Sequence, residues 1–121
     1  MDINALVDQI KGRPDYHKVG MILCHNGVVR GTSRDGREVT GLRVAVDWER
    51  LEQVVLAHKE RPGIVEILVQ INADCDLKVG DDVMLLAVAG DIRENVTAAL
   101  SDALNAIKST VTTKTEFFSE T

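Results

Sequence analysis

The side chains best suited to chemistry in this sequence are basic, and they fall in three places. The first is Gly27-Val28-Val29-Arg30-Gly31, followed by a loop that carries Arg34 and Arg37. Glycines on both sides of an arginine let the backbone approach a ligand closely while the guanidinium grips an oxyanion. The same residues also suit a plain turn with solvated charges. The second place is Gly90-Asp91-Ile92-Arg93, at the start of a helix. A helix N-terminus attracts anions and Arg93 would add a full positive charge, but Asp91 and Glu94 equally suit ordinary capping. The third is Lys108 near the end of that helix, with Lys114 beyond it. A lysine in a last turn commonly just complements the helix dipole. In a partly desolvated pocket it can instead serve as base, nucleophile or electrophile.

Other chemistries have little support. Cys24 and Cys75 form no Cys-x-x-Cys pair and read as reduced thiols. Cys24 lies in an apolar run and is expected to be buried. His17, His25 and His58 lack metal-ligand spacing, so no metal site is expected. No Ser-His-Asp arrangement, phosphate loop or dinucleotide fingerprint is present. A formal net charge of -5 argues against nucleic-acid binding, which depends on neutralising phosphates. A small anion held by a local basic cluster remains compatible with it. The start, Met1-Asp2-Ile3-Asn4, has no basic leader, and no apolar run approaches the roughly 20 residues that span a bilayer. A cytoplasmic protein without a membrane partner is expected.

The elements that must position these groups follow from periodicity. Ile3, Leu6, Val7 and Ile10 recur at helical spacing, and Gly12 and Pro14 stop that segment. Val19 to Cys24 is an apolar run of strand length, and Thr32 to Glu38 reads as an exposed loop. From Val39 to Asp47, Leu42, Val44 and Val46 fall on one face, and Arg43 and Ala45 on the other: a half-buried strand. Asp47 suits an N-cap for a second helix with Leu51, Val54, Val55 and His58 inward, ended by Arg61-Pro62-Gly63. Ile64 to Ile71 and Val83 to Ala89 are two strands that can form a hairpin across an irregular loop, Asp74 to Asp82. Asp91 as N-cap and Glu94 make a capping box for the last helix, in which Val96, Leu100, Ala103, Leu104, Ile107 and Val111 recur. Thr112 to Phe118 is β-prone and predicts a final strand. The sum is one α+β domain over residues 1–121, with a mixed or antiparallel sheet, two to three helices and an aliphatic core.

Taken together and in order, these motifs resemble the catalytic, large subunit of molybdopterin synthase. Val19-Gly20-Met21-Ile22 and then Gly27-Val28-Val29-Arg30 look like that family's strand and its G-x-V-R signature. Leu77-Lys78-Val79-Gly80-Asp81 matches its L-x-x-G-[DE] turn before a hydrophobic strand, and Ala106-Ile107-Lys108 falls on its late-helix lysine. Gly90-Asp91-Ile92-Arg93 falls where the family has a His-Arg pair, with Ile92 in place of the histidine. Asn72-Ala73 replaces a second such pair, and Lys114 follows Thr113 rather than a tryptophan. The resemblance implies an α/β-hammerhead-like fold and a sulfur transfer that converts cyclic pyranopterin monophosphate to molybdopterin. The sulfurs would come from thiocarboxylates on the C-terminal Gly-Gly of a small ubiquitin-like partner, and the transfer itself would need no metal or redox cofactor. Lys108 and Lys114 are then the expected catalytic residues, and Arg30, Arg93, Arg34 and Arg37 the expected substrate-binding ones. The alternative is a non-catalytic paralogue that binds a pterin phosphate or the carrier. On a single helix Arg93 and Lys108 would stand about 22 Å apart at about 1.5 Å per residue, more than twice the length of the substrate. The resemblance therefore implies a homodimer in which Arg93 of one copy reaches the Lys108 site of the other.

Overall fold

The computed structural model describes residues 1–120. In chain order it runs α1 (Ile3–Lys11), a 3-10 turn (Tyr16–Lys18), β1 (Met21–Val28), β2 (Val39–Val46), α2 (Trp48–Lys59), β3 (Ile64–Ile71), β4 (Leu77–Lys78), β5 (Asp82–Gly90), α3 (Arg93–Thr110) and β6 (Thr112–Phe118). The class is α+β, as the order of elements predicts. The strands form two three-stranded sheets rather than one, ordered β1-β5-β3 and β4-β2-β6, with every pairing antiparallel. The segment β2-α2-β3 therefore passes from one sheet to the other and is not a crossover within a sheet.

The first sheet is built around β5, whose residues from Met84 to Ala89 are each 5% exposed or less. Successive side chains of a strand point to opposite faces, and here both faces are covered. Leu85, Ala87 and Ala89 pack against Leu6 and Ile10 of α1. Leu86 and Val88 pack against Val96 and Ala99 of α3, and Met84 against Ile107. Two covered faces explain a strand that is apolar throughout instead of alternating.

The second sheet shows the alternation expected of a strand with one wet face. Leu42 and Val44 of β2 are buried with Val29 and Leu77, whereas Arg43 and Ala45 are exposed. Asp47 caps α2 as expected, its Oδ1 accepting the Arg50 N–H at 3.0 Å. The turn after α2 ends at Gly63, whose φ of +81° suits a residue without a Cβ.

Four local expectations change. β1 runs on to Val28, so Gly27 and Val28 of the Gly27–Gly31 segment are strand. Cys24 is exposed, not buried. It lies on the α1 side of β1, where Ile22 is the strand residue that joins the core cluster of α1 and β5. The loop between β3 and β5 holds β4, which leaves their hairpin and pairs with Gly41 and Leu42 of the other sheet. Asp91 lies one residue before the N-cap of α3, which is Ile92 and makes no side-chain cap bond. The Asp91 N–H is tied to Gly63 O at 2.9 Å, in the bend that follows β5. Its carboxylate accepts instead from the Ile92 N–H at 2.7 Å and the Asn95 amide at 2.9 Å.

Candidate functional site

Where the two sheets meet under the end of α3 lies a pocket of about 350 Å³. Its floor is apolar: Leu42 and Val44 come from the second sheet, Ile71, Val83 and Met84 from the first. Its polar lining is Arg34, Lys108, Lys114, Thr112 and His25, with no carboxylate among the lining residues. A chain with a net charge of -5 thus concentrates three cations on one concavity, a local field that selects an anion. A larger, more open depression of about 690 Å³ beside α1 is mostly apolar, with Lys11 its one cation.

Local structure explains why the two lysines converge. α3 ends at Thr110 and β6 begins at Thr112, leaving Val111 alone as the junction. Val111 is 4% exposed and its carbonyl accepts the Asp47 N–H at 2.9 Å, so the turn is clamped to the start of α2. Lys108 sits in the last turn of α3, next to the fully buried Ile107. Lys114 stands opposite Val44 in the β2–β6 register. Directly opposed residues of an antiparallel pair share a face. Because Val44 points inward, so does Lys114, while Thr113 and Thr115 point away.

Arg34 is delivered by the β1–β2 loop, a compact turn rather than a loose one. Ser33 is 7% exposed; its hydroxyl bonds the Asp35 carboxylate and accepts the Arg37 N–H at 3.0 Å. The bond from Ser33, then backbone donors, hold the Asp35 carboxyl below the usual carboxylate range. Gly36 supplies the left-handed residue, with φ +87°. Arg37 lies over the Phe118 ring at 3.6 Å and pins the loop to the end of β6. Arg30 donates from Nε to Thr32 O at 2.6 Å and does not line the pocket.

Of the six residues singled out by sequence, Arg34, Lys108 and Lys114 therefore meet in one place. Arg30 and Arg37 brace the loop beside it. Arg93 opens α3, at the other end of the helix that carries Lys108, and its side chain is 79% exposed with Glu94 at 3.6 Å. A full helix length separates it from the pocket of its own chain.

His25 also lines the pocket, and sequence reasoning missed it. Its Nε2 is the one buried side-chain nitrogen or oxygen without a hydrogen-bond partner among the described residues. Burial pushes the imidazole pKa below its ordinary value, and the charge of Lys108 pushes the same way. The available signal was its two-residue spacing from Gly27 on β1, which puts both on one face. Elsewhere, no three His, Cys, Asp or Glu side chains cluster among the described residues, and none of their helices is long and apolar enough to cross a membrane.

The arrangement is that of an α+β protein with a cationic pocket, floored by aliphatic side chains, at the junction of two antiparallel sheets. The sequence profile of the MoaE protein family matches residues 1–110. The chain belongs to that family, the large subunit of molybdopterin synthase, and so to molybdenum cofactor biosynthesis. Three solved structures share the fold. Molybdopterin synthase from Staphylococcus aureus is 20% identical with a TM-score of 0.72, covering 90% of this chain and 87% of that one. Molybdopterin cofactor biosynthesis protein E from Burkholderia multivorans is 21% identical with a TM-score of 0.77, covering 99% and 87%. A complex of subunits 1 and 2 of molybdopterin-converting factor from Helicobacter pylori gives 16% and 0.70, covering 99% and 85%. No curated protein sequence matches the chain.

Proposed function

We propose that this protein is a cytoplasmic sulfurtransferase that converts cyclic pyranopterin monophosphate to molybdopterin, with sulfur delivered by a small ubiquitin-like carrier. The observation that carries this reading is the convergence of Arg34, Lys108 and Lys114 on one pocket. The aliphatic floor accepts the flat pterin, and the cations hold its phosphate and the carrier's thiocarboxylate, two anions that would otherwise repel each other. The thiocarboxylate sulfur attacks an electrophilic carbon of the substrate and displaces an oxygen substituent, which leaves as water or as a phosphate oxygen. Water then cleaves the resulting thioester, which leaves the sulfur on the pterin as a thiolate and releases the carrier as a carboxylate. A second thiocarboxylated carrier repeats both steps at the neighbouring carbon. Lys108 serves at the reacting carbons, where an ammonium stabilises developing negative charge, and Lys114 positions the thiocarboxylate.

The carrier's flexible tail loses entropy on entering the pocket, so a docked surface must supply part of the affinity. The Helicobacter pylori structure is a complex of subunits 1 and 2 of molybdopterin-converting factor, which supports a small-subunit partner here. Arg30 and Arg37 serve the site through its loop. Arg93, too far along α3 to serve its own pocket, serves that of a second copy in a homodimer. A binding-only reading is favoured by one position: Ile92, 53% exposed, offers no titratable group where the resemblance expects a histidine. Incubating the protein with thiocarboxylated carrier and cyclic pyranopterin monophosphate decides between the readings. Molybdopterin is the expected product; tight binding of both without product would establish the binding-only reading.

A further inference from the structure

Of the pocket's polar lining, the proposed chemistry leaves Thr112 and His25 without a task, and the Thr112 hydroxyl already donates to Ile107 O at 3.4 Å. His25 is unpartnered. It stands opposite Leu86 in the β1–β5 register, and so lies on the α3 face of the sheet. Gly27 shares that face, and both residues line the pocket with Lys108 and Lys114. The imidazole reaches along the strand toward Gly27, where a Cβ would stand 3.2 Å from Nε2. The glycine thus leaves the room that the ring occupies. Nε2 is withheld from water and has no partner. Buried polar atoms are nearly always paired, so an exception inside a binding pocket points to a partner that arrives with the ligand. A neutral imidazole carries one N–H donor. Three cations around the pocket gather an anion, and the oxygens or sulfur of an anion accept hydrogen bonds rather than donate them.

We propose that His25 is a ligand-contacting residue: when the pterin phosphate binds, the ring turns out from beside Gly27 so that Nε2–H, shielded in the free protein, donates a hydrogen bond to an anionic acceptor atom of the ligand, beside Arg34, Lys108 and Lys114. The inference rests on the pterin reading of the pocket and adds to it a neutral donor among the cations. Such a donor reports the position of an acceptor atom, whereas lysines on long stems report mainly its charge.

Three substitutions separate a contact from mere packing. His25→Phe keeps the bulk of the ring and removes both nitrogens. His25→Gln places an amide nitrogen as many bonds from the backbone as Nε2, and His25→Asn reaches only as far as Nδ1. The Kd for cyclic pyranopterin monophosphate should rise about 10- to 100-fold in the Phe and Asn variants, and return to within about threefold of wild type in the Gln variant. In the wild type, the His25 Nε2 resonance should move when the ligand saturates the protein. Equal affinity in wild type and His25→Phe would overturn the contact and leave the pterin reading standing. A wild type that does not bind this ligand would overturn the pterin reading and the contact with it. If His25→Phe does not fold, the resonance decides alone, and its failure to move at saturation rejects the contact.

Discussion

Lys108 and Lys114 are both exposed, yet they are aimed at one place by different means: a helix's last turn for one, a strand's register for the other. Neither supports the core, so their loss should cost function and leave the fold intact. Lys114→Ala should weaken binding of cyclic pyranopterin monophosphate by about tenfold, the scale of one charge-assisted bond, with an unchanged melting curve. Affinity unchanged in an isotherm would remove Lys114 from the pocket's work. His25 predicts a pH effect of defined sign. Its folded pKa lies below the ordinary 6.5, because burial first and Lys108 second disfavour the imidazolium. Between those values the unfolded chain binds more protons, so stability is fully present above about pH 6.5 and falls as pH drops toward the folded value. Thermal melts between pH 7.5 and pH 5, chosen to span about a unit either side of the free imidazole, should show this loss in wild type and a smaller one in His25→Phe. Identical profiles would contradict it. At this scale the lysines were legible because they match a spaced motif. His25 was not, since its role requires knowing that β1 lies beside β5 with its Leu86 face under α3.

Among the elements, α3 and its junction with β6 position the site. Ile107 is fully buried against the Met84 side of the first sheet. Ile107→Ala should therefore cost about 2–5 kcal/mol, read as a lower denaturation midpoint. Asp47→Ala should cost about 1 kcal/mol through loss of the α2 cap, a difference detectable in the same titration. A cost near zero would mean that the clamp of Val111 to Asp47 does not depend on the cap. Helical period and the alternation of β2 were legible because each element has one dry face. The number of sheets was not. Leu77-Lys78 looks like part of a loop until its pairing with Gly41 and Leu42 is seen. Asp91 and Glu94 satisfy a capping pattern, but a backbone bond to Gly63 ties Asp91 into the bend between β5 and α3, which local sequence cannot reveal. Cys24 likewise follows from the reach of α1 and not from its apolar neighbours.

For the whole molecule, a pocket with three cations in a chain of net charge -5 ties binding to salt. Arg93, the expected contributor that neither lines the pocket nor braces its loop, lies a helix length away on the same chain, and this makes assembly part of the account. If each site joins Lys108 of one copy to Arg93 of the other, mixing Arg93→Ala and Lys108→Ala chains should restore about a quarter of wild-type turnover. Half of freely exchanged dimers are mixed, and each mixed dimer has one intact site. No recovery despite proven exchange, or a strictly monomeric protein by light scattering, would sink the shared site. The central claim is that the pocket of Arg34, Lys108 and Lys114 is where sulfur reaches the pterin. Its most direct test is single-turnover formation of molybdopterin from cyclic pyranopterin monophosphate and thiocarboxylated carrier, comparing wild type with Lys108→Ala. The account predicts product from wild type and a rate lower by about 10²-fold or more in the variant, the scale of losing one preorganised charge at the reacting atoms, with carrier binding retained. Equal rates in the two proteins would contradict it.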